Sequence, residues 1–128
     1  MHKLAVYIFL LFPLTLANNS PIFIGETIVV AKKRQTGVAS YYHDSLHRRL
    51  TASGQKYDKR KLTAASRDLP LGTMVNIYSY VSGKDVVCVI NDRGPYVDGR
   101  ELDLSKAAAK QLGMIEDGLH LISYEVIQ

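Results

Sequence analysis

Thr73-Met74-Val75-Asn76-Ile77-Tyr78-Ser79-Tyr80, then Val81-Ser82-Gly83-Lys84, then Asp85-Val86-Val87-Cys88-Val89-Ile90, is the stretch that decides the fold class. The first segment reads as a strand, the second supplies turn chemistry and the third is a β-branched apolar run, so together they predict a β-hairpin. Upstream, Gly37 to Tyr42 alternates small and aromatic residues and reads as another strand; downstream, Leu119 to Ile127 fits a closing one. Two short helices are expected between the strands. Asp58 can cap Lys59, Arg60, Lys61 and Leu62, because its carboxylate can accept N–H groups that a helix start leaves unpaired. Ser105 can do the same for Lys106 to Leu112, with Gly113 as the left-handed stop. Strands punctuated by small helices, without strand-helix alternation, predict a small closed barrel.

The chain has 128 residues, 47% apolar and 22% charged, with a formal net charge of +4. Such a composition fits one globular domain and excludes collagenous or low-complexity classes. A lone cysteine, Cys88, excludes an intramolecular disulfide scaffold.

Charge and hydropathy are unevenly distributed. Residues 1–17 begin with His2 and Lys3, continue as an apolar run from Leu4 to Phe12 and close on Thr15, Leu16 and Ala17, the form of a signal peptide cleaved after Ala17. Residues 18–36 are expected as a linker and 37–128 as the domain. The alternative is an uncleaved leader giving weak membrane association, because Ile22, Phe23, Ile24, Ile28, Val29 and Val30 form a second apolar stretch. No cysteine lies near the cleavage site to take a lipid, so the expected location is the periplasm or cell envelope without a cysteine-linked anchor. From Gly37 to Gln128 there are 12 Lys and Arg against 11 Asp and Glu, so the domain is near neutral and no nucleic-acid partner is expected. The Lys32-Lys33-Arg34 cluster reads as solvated linker.

Asn91-Asp92-Arg93-Gly94-Pro95-Tyr96 follows directly on the apolar strand. Asp92 therefore stands where a side chain can leave the sheet and enter a cleft, as a catalytic carboxyl would. Spacing alone favours the other reading, a turn in which Asn and Asp bond their own backbone and Asp92 with Arg93 makes a surface pair. His43 and His47 have no third ligand at a suitable spacing, so no metal site is expected. Cys88 reads as a buried, inert thiol. Tyr41, Tyr42, Tyr57 and Tyr96 suit either stacking on sugar rings or half-buried barrel positions. Phosphate-loop, dinucleotide and Gly-x-Ser-x-Gly motifs are absent, and no cofactor is expected.

Six ordered motifs carry a resemblance. They are Gly37-Val38-Ala39-Ser40-Tyr41-Tyr42, Arg49-Leu50-Thr51-Ala52-Ser53-Gly54-Gln55-Lys56-Tyr57-Asp58, Leu62-Thr63-Ala64-Ala65, Leu69-Pro70-Leu71-Gly72-Thr73, Ile90 to Tyr96, and Leu102-Asp103-Leu104-Ser105 followed by Ala107-Ala108. In this order they resemble the RlpA (rare lipoprotein A) family over essentially all of Gly37 to Ile127. The resemblance implies a mainly β fold, a small six-stranded double-psi β-barrel with short helices, shared with expansins. It also implies an exported, monomeric lytic transglycosylase acting on peptidoglycan glycan strands, preferably free of stem peptides. Such an enzyme splits the bond between N-acetylmuramic acid and N-acetylglucosamine without water, leaving a 1,6-anhydro end. The family's catalytic Asp falls on Asp92, and Gln55, Ser66, Tyr42, Arg93 and Asn91 are expected to line the groove. Gln55 stands where many members have Glu, Ser66 where they have His, and Val89, expected on the barrel surface, where they often have Arg. Neither Gln55 nor Ser66 can shuttle a proton. Either Asp92 works alone, or the domain is a non-catalytic, expansin-like glycan-binding module. A wall hydrolase would need a second carboxyl near Asp92, and Asp58, Asp98 and Asp103 look structural.

Overall fold

A computed structural model describes residues 19–25, 27–32 and 34–127. The expected signal peptide, residues 1–17, lies outside the described residues. Contacts divide the chain into two units at Arg34 and Gln35. Within the first, β1 (Asn19–Ile24) pairs antiparallel with β2 (Thr27–Lys32). Residues 18–36, expected as a linker, thus include a hairpin, in which Ile22 pairs in register with Val29 and the two strands satisfy each other's backbone groups.

In the second unit, six strands close on themselves in the order β3 (Gln35–Tyr41), β7 (Arg100–Leu104), β4 (Thr63–Ala65), β6 (Asp85–Asp92), β5 (Met74–Ser79) and β8 (His120–Val126). Pairs β3 with β7 and β4 with β6 run parallel, and the remaining neighbours run antiparallel. The expected hairpin is β5 and β6, joined at the Gly83 turn, where φ is +71° and Gly83 N–H donates to the Ser79 carbonyl at 2.9 Å. Two strands, β4 and β7, occupy segments that carry no strand pattern of their own. They are short and gain their backbone partners only from barrel closure.

Alternation sorts the side chains. On β6, Val86, Cys88 and Ile90 are fully buried, while Val87 and Val89 face outward. Val75, Ile77, Leu102, Leu104 and Ile122 meet them, and Ala108, Ala109, Leu112 and Met114 plug the interior from beside the helix. That helix, α1 (Lys106–Gln111), starts where Ser105 accepts from Ala108 N–H at 3.2 Å and stops at Gly113, where φ is +70°. The second expected helix is a single turn: the Asp58 carboxylate accepts from Arg60 N–H at 2.9 Å, but the chain then enters β4. Its carboxylate is also occupied by the Arg60 side chain, so one turn completes its hydrogen bonding.

A buried polar chain fastens β8 to the β5–β6 turn. Ser79 Oγ accepts N–H bonds from Val81 and Ser82, leaving its hydrogen for His120 Nδ1 at 2.8 Å, and His120 Nε2 then donates to Asp117 at 2.7 Å. The residue types are those of a nucleophilic triad, but Ser79 has no exposed surface, so the chain is structural.

Burial pushes the Cys88 thiol up to about 12. Native protein at pH 8 will therefore leave Cys88 unmodified by an aromatic disulfide reagent over hours, while denatured protein will release one equivalent of chromophore within minutes. Ser105→Ala should lower unfolding free energy by about 1 kcal/mol in urea titrations, since Ala108 N–H loses its cap.

Candidate active site

A register shift places Asp92. Along β4 and β6, Ala64 pairs with Ile90 but Ala65 pairs with Asp92, so Asn91 is an extra residue on β6. Ile90 and Asn91 are consequently buried in succession, and the alternation turns over so that Asp92 emerges at the rim. The Asn91 backbone is fixed too, its carbonyl accepting from Ser53 N–H at 3.1 Å.

Three donors hold the Asp92 carboxylate. Oδ1 accepts from Ala52 N–H at 2.8 Å and Arg93 N–H at 2.9 Å, and Oδ2 accepts from the Tyr42 hydroxyl at 2.5 Å. Tyr42 stays protonated throughout the neutral range, because burial raises its pKa and the hydrogen bond to Asp92 raises it further. Its ring packs on Tyr57 at a centroid distance of 4.6 Å, and Tyr57 in turn accepts from Lys106 N–H at 3.0 Å. The groove is thereby tied to α1. It has a volume of about 210 Å³, and Asp92, Tyr42, Tyr57, Thr51, Arg49 and Leu50 line it.

Residues 48–57 form the groove's outer wall as a small hairpin. Arg48 N–H donates to the Tyr57 carbonyl at 2.8 Å, Tyr57 N–H donates to the Arg49 carbonyl at 2.7 Å, and Leu50 bridges Lys56. Thr51 Oγ1 donates to the Gln55 carbonyl at 2.6 Å, closing the tip.

Of the residues expected in the groove, Asp92 and Tyr42 line it. Arg93 and Ser66 do not. The Arg93 guanidinium turns back to donate to the Ser66 carbonyl at 3.0 Å and the Leu69 carbonyl at 2.7 Å, so the residue clamps the loop after β4 and lies outside the groove lining. Ser66 is buried, and its hydroxyl accepts from Asp68 and Leu69 N–H, the bonds that shape the turn after β4. Asn91 is buried beneath Asp92, and Gln55 stands exposed at the hairpin tip, outside the lining. Arg49, Leu50 and Thr51 are groove residues that sequence does not single out, although all lie in the Arg49 to Asp58 motif; Tyr57, open to either sugar stacking or a half-buried position, is buried against the Tyr42 ring. The Ala52 N–H has no signature in sequence, since any residue but proline supplies one.

Two of the other candidate carboxyls are engaged elsewhere. Asp103, on β7, pairs in register with Ala65, the neighbour of Asp92, and takes the Ser40 hydroxyl. Asp58 binds Arg60. Among the described residues no group of three metal-ligating side chains comes together.

A family described as "Lytic transglycolase" matches residues 34–124. A protein of Synechocystis sp. named probable endolytic peptidoglycan transglycosylase RlpA is 40% identical over 103 residues, 80% of this chain and 32% of its own. The protein of the same name from Treponema pallidum is 44% identical over 106 residues, 83% of this chain and 32% of its own. This chain thus spans about a third of the length of the curated relatives it matches. Among solved structures, the Streptomyces papain inhibitor superposes with a TM-score of 0.61 at 22% identity, covering 75% of this chain and 96% of that one. An expansin of Clavibacter michiganensis gives 0.59 at 22%, covering 75% and 51%. The barrel is therefore of the double-psi type that expansins share. With a family match across almost the whole barrel, and an aspartate held at the end of a bulged strand beside a groove, the chain belongs to the lytic transglycolase family.

Proposed function

We propose that this domain is an exported lytic transglycosylase that cleaves peptidoglycan glycan strands, with Asp92 as both acid and base. The observation that carries the reading is the Asp92 carboxylate, fixed by three donors at the rim of a groove. Attack by the sugar's own C6 hydroxyl on C1 needs no activated water, so one carboxyl suffices where a hydrolase generally uses two at a set separation. Because Oδ1 already accepts two backbone N–H groups, the working proton resides on Oδ2, whose second lone pair is open. From Oδ2 it passes to the leaving oxygen, and the carboxylate then takes the C6 hydroxyl proton at the same atom. Tyr42, kept neutral, holds Oδ2 at one angle through both steps. Gln55 lies outside the groove lining and the Ser66 hydroxyl is taken by its own turn, so their lack of titratable groups is compatible with a single working carboxyl.

The relatives' names support peptidoglycan as substrate. The leader-like form of residues 1–17 supports export to the cell envelope, where the domain would act as a monomer.

Incubation of the full chain with peptide-free glycan strands, followed by mass analysis, tests the reaction. Anhydro-ended fragments are expected from the parent, and their rate of appearance should fall by about 10²- to 10⁴-fold in Asp92→Asn. Fragments with reducing ends would identify a hydrolase; strand binding without fragments would identify a non-catalytic module. Arg93→Ala should behave differently, losing about 2 kcal/mol of stability in urea titrations because two carbonyls lose their donor.

A further inference from the structure

We propose that Arg49 recognises the free lactyl carboxylate of a peptide-free muramoyl residue, making it the residue by which the groove separates stripped strands from peptide-bearing ones. The inference rests on the peptidoglycan reading above and assigns it a specificity contact.

Four observations support it. Arg49 lines the same groove as Asp92. It forms no ion pair with Asp92 or with any other carboxylate among the described residues, whereas Arg60 pairs with Asp58, Lys106 with Asp44 and Arg67 with Glu101. Arg93, the other arginine beside the site, lies outside the groove lining and turns its Nη1 to two backbone carbonyls. Lastly, the position of Arg49 is imposed by backbone. Arg48 has a φ of +76°, the left-handed region that side-chain-bearing residues disfavour, and it keeps that conformation because its N–H and the Arg49 carbonyl are both bonded to Tyr57. The hairpin is also pinned at Ala52 and Ser53 to Asp92 and Asn91. Arg49 is thus held in the wall on the Asp92 side of a fixed loop, with its charge unspent.

The chemistry of the substrate supplies one anion where such a cation can use it. The muramoyl sugar whose C1 is attacked by its own C6 hydroxyl, with Asp92 as acid and base, also carries, through O3, a lactyl group. That group ends in a carboxylate when the stem peptide has been removed and in a neutral amide when it has not. A guanidinium binds a carboxylate through two parallel N–H bonds and gains little from an amide, so the same residue attracts one strand and not the other. Leu50, exposed beside it, presents an apolar face to the sugar ring without adding charge.

The test uses peptide-free strands and the same strands with their carboxylates coupled to methylamine, a uniform conversion to amide. Both are offered to the full chain, to Arg49→Gln and to Arg49→Lys, and both release of anhydro ends and equilibrium binding are measured. The parent should favour free-acid over amidated strands by about ten- to a hundredfold, the range for a charge-assisted contact. In Arg49→Gln the ratio should fall to near one; in Arg49→Lys, which keeps the charge but loses the fork, it should lie between. An unchanged ratio in Arg49→Gln, or a parent that does not discriminate, overturns the proposal. If no protein releases fragments, the transglycosylase reading fails, while the binding ratios still decide the role of Arg49. The Arg49 side chain makes no internal hydrogen bond among the described residues, so its variants should fold, and matching melting curves will verify that before ratios are compared.

Discussion

Three stretches of the chain meet at one carboxylate. Tyr42 comes from the end of β3, Ala52 from the outer hairpin and Arg93 from the residue after β6, and each donates to Asp92. A buried or half-buried carboxylate without donors would be costly, so these bonds do more than orient one side chain. They fix the hairpin to the barrel, set the depth of the groove and determine which oxygen is available for proton transfer. Removing Asp92 would loosen all three segments together; moving any one of them would reshape the site.

The barrel end that bears this arrangement depends in turn on a mismatch between strands. Without the extra residue at Asn91, the β6 alternation would continue and Asp92 would sit one place out of phase. Arg93 then secures the loops after β4 from behind, holding the Ser66 and Leu69 carbonyls with charge-assisted bonds. The site is therefore supported by a shell whose polar members face inward and are already satisfied.

Much of the architecture was legible in the sequence. The β5–β6 hairpin, β3, β8 and α1 have local signatures: alternation, turn residues and a serine cap, each acting over a few residues. Strands β4 and β7 lacked such signatures, because Thr63-Ala64-Ala65 and the run from Arg100 to Leu104 become strands only through long-range pairing. Of the groove residues that the ordered motifs suggested, Asp92 and Tyr42 do line the groove. Arg93 and Ser66 lie outside the groove lining because sequence gives a residue's neighbourhood but not its rotamer, and here both side chains turn toward the backbone of the loop after β4. Asp58 was misread as a helix start because an Asx turn and a helix cap share the same first hydrogen bond.

Cys88 sits at the centre of β6, with no exposed surface and the barrel closed around it. Once folded, the protein's one thiol is shielded from the redox state of its surroundings: it can neither pair with another molecule nor climb the cysteine oxidation ladder. Vulnerability is confined to the nascent chain, before β4 and β5 close over β6. In an oxidising compartment, folding and thiol oxidation are therefore in a race, and barrel closure ends it.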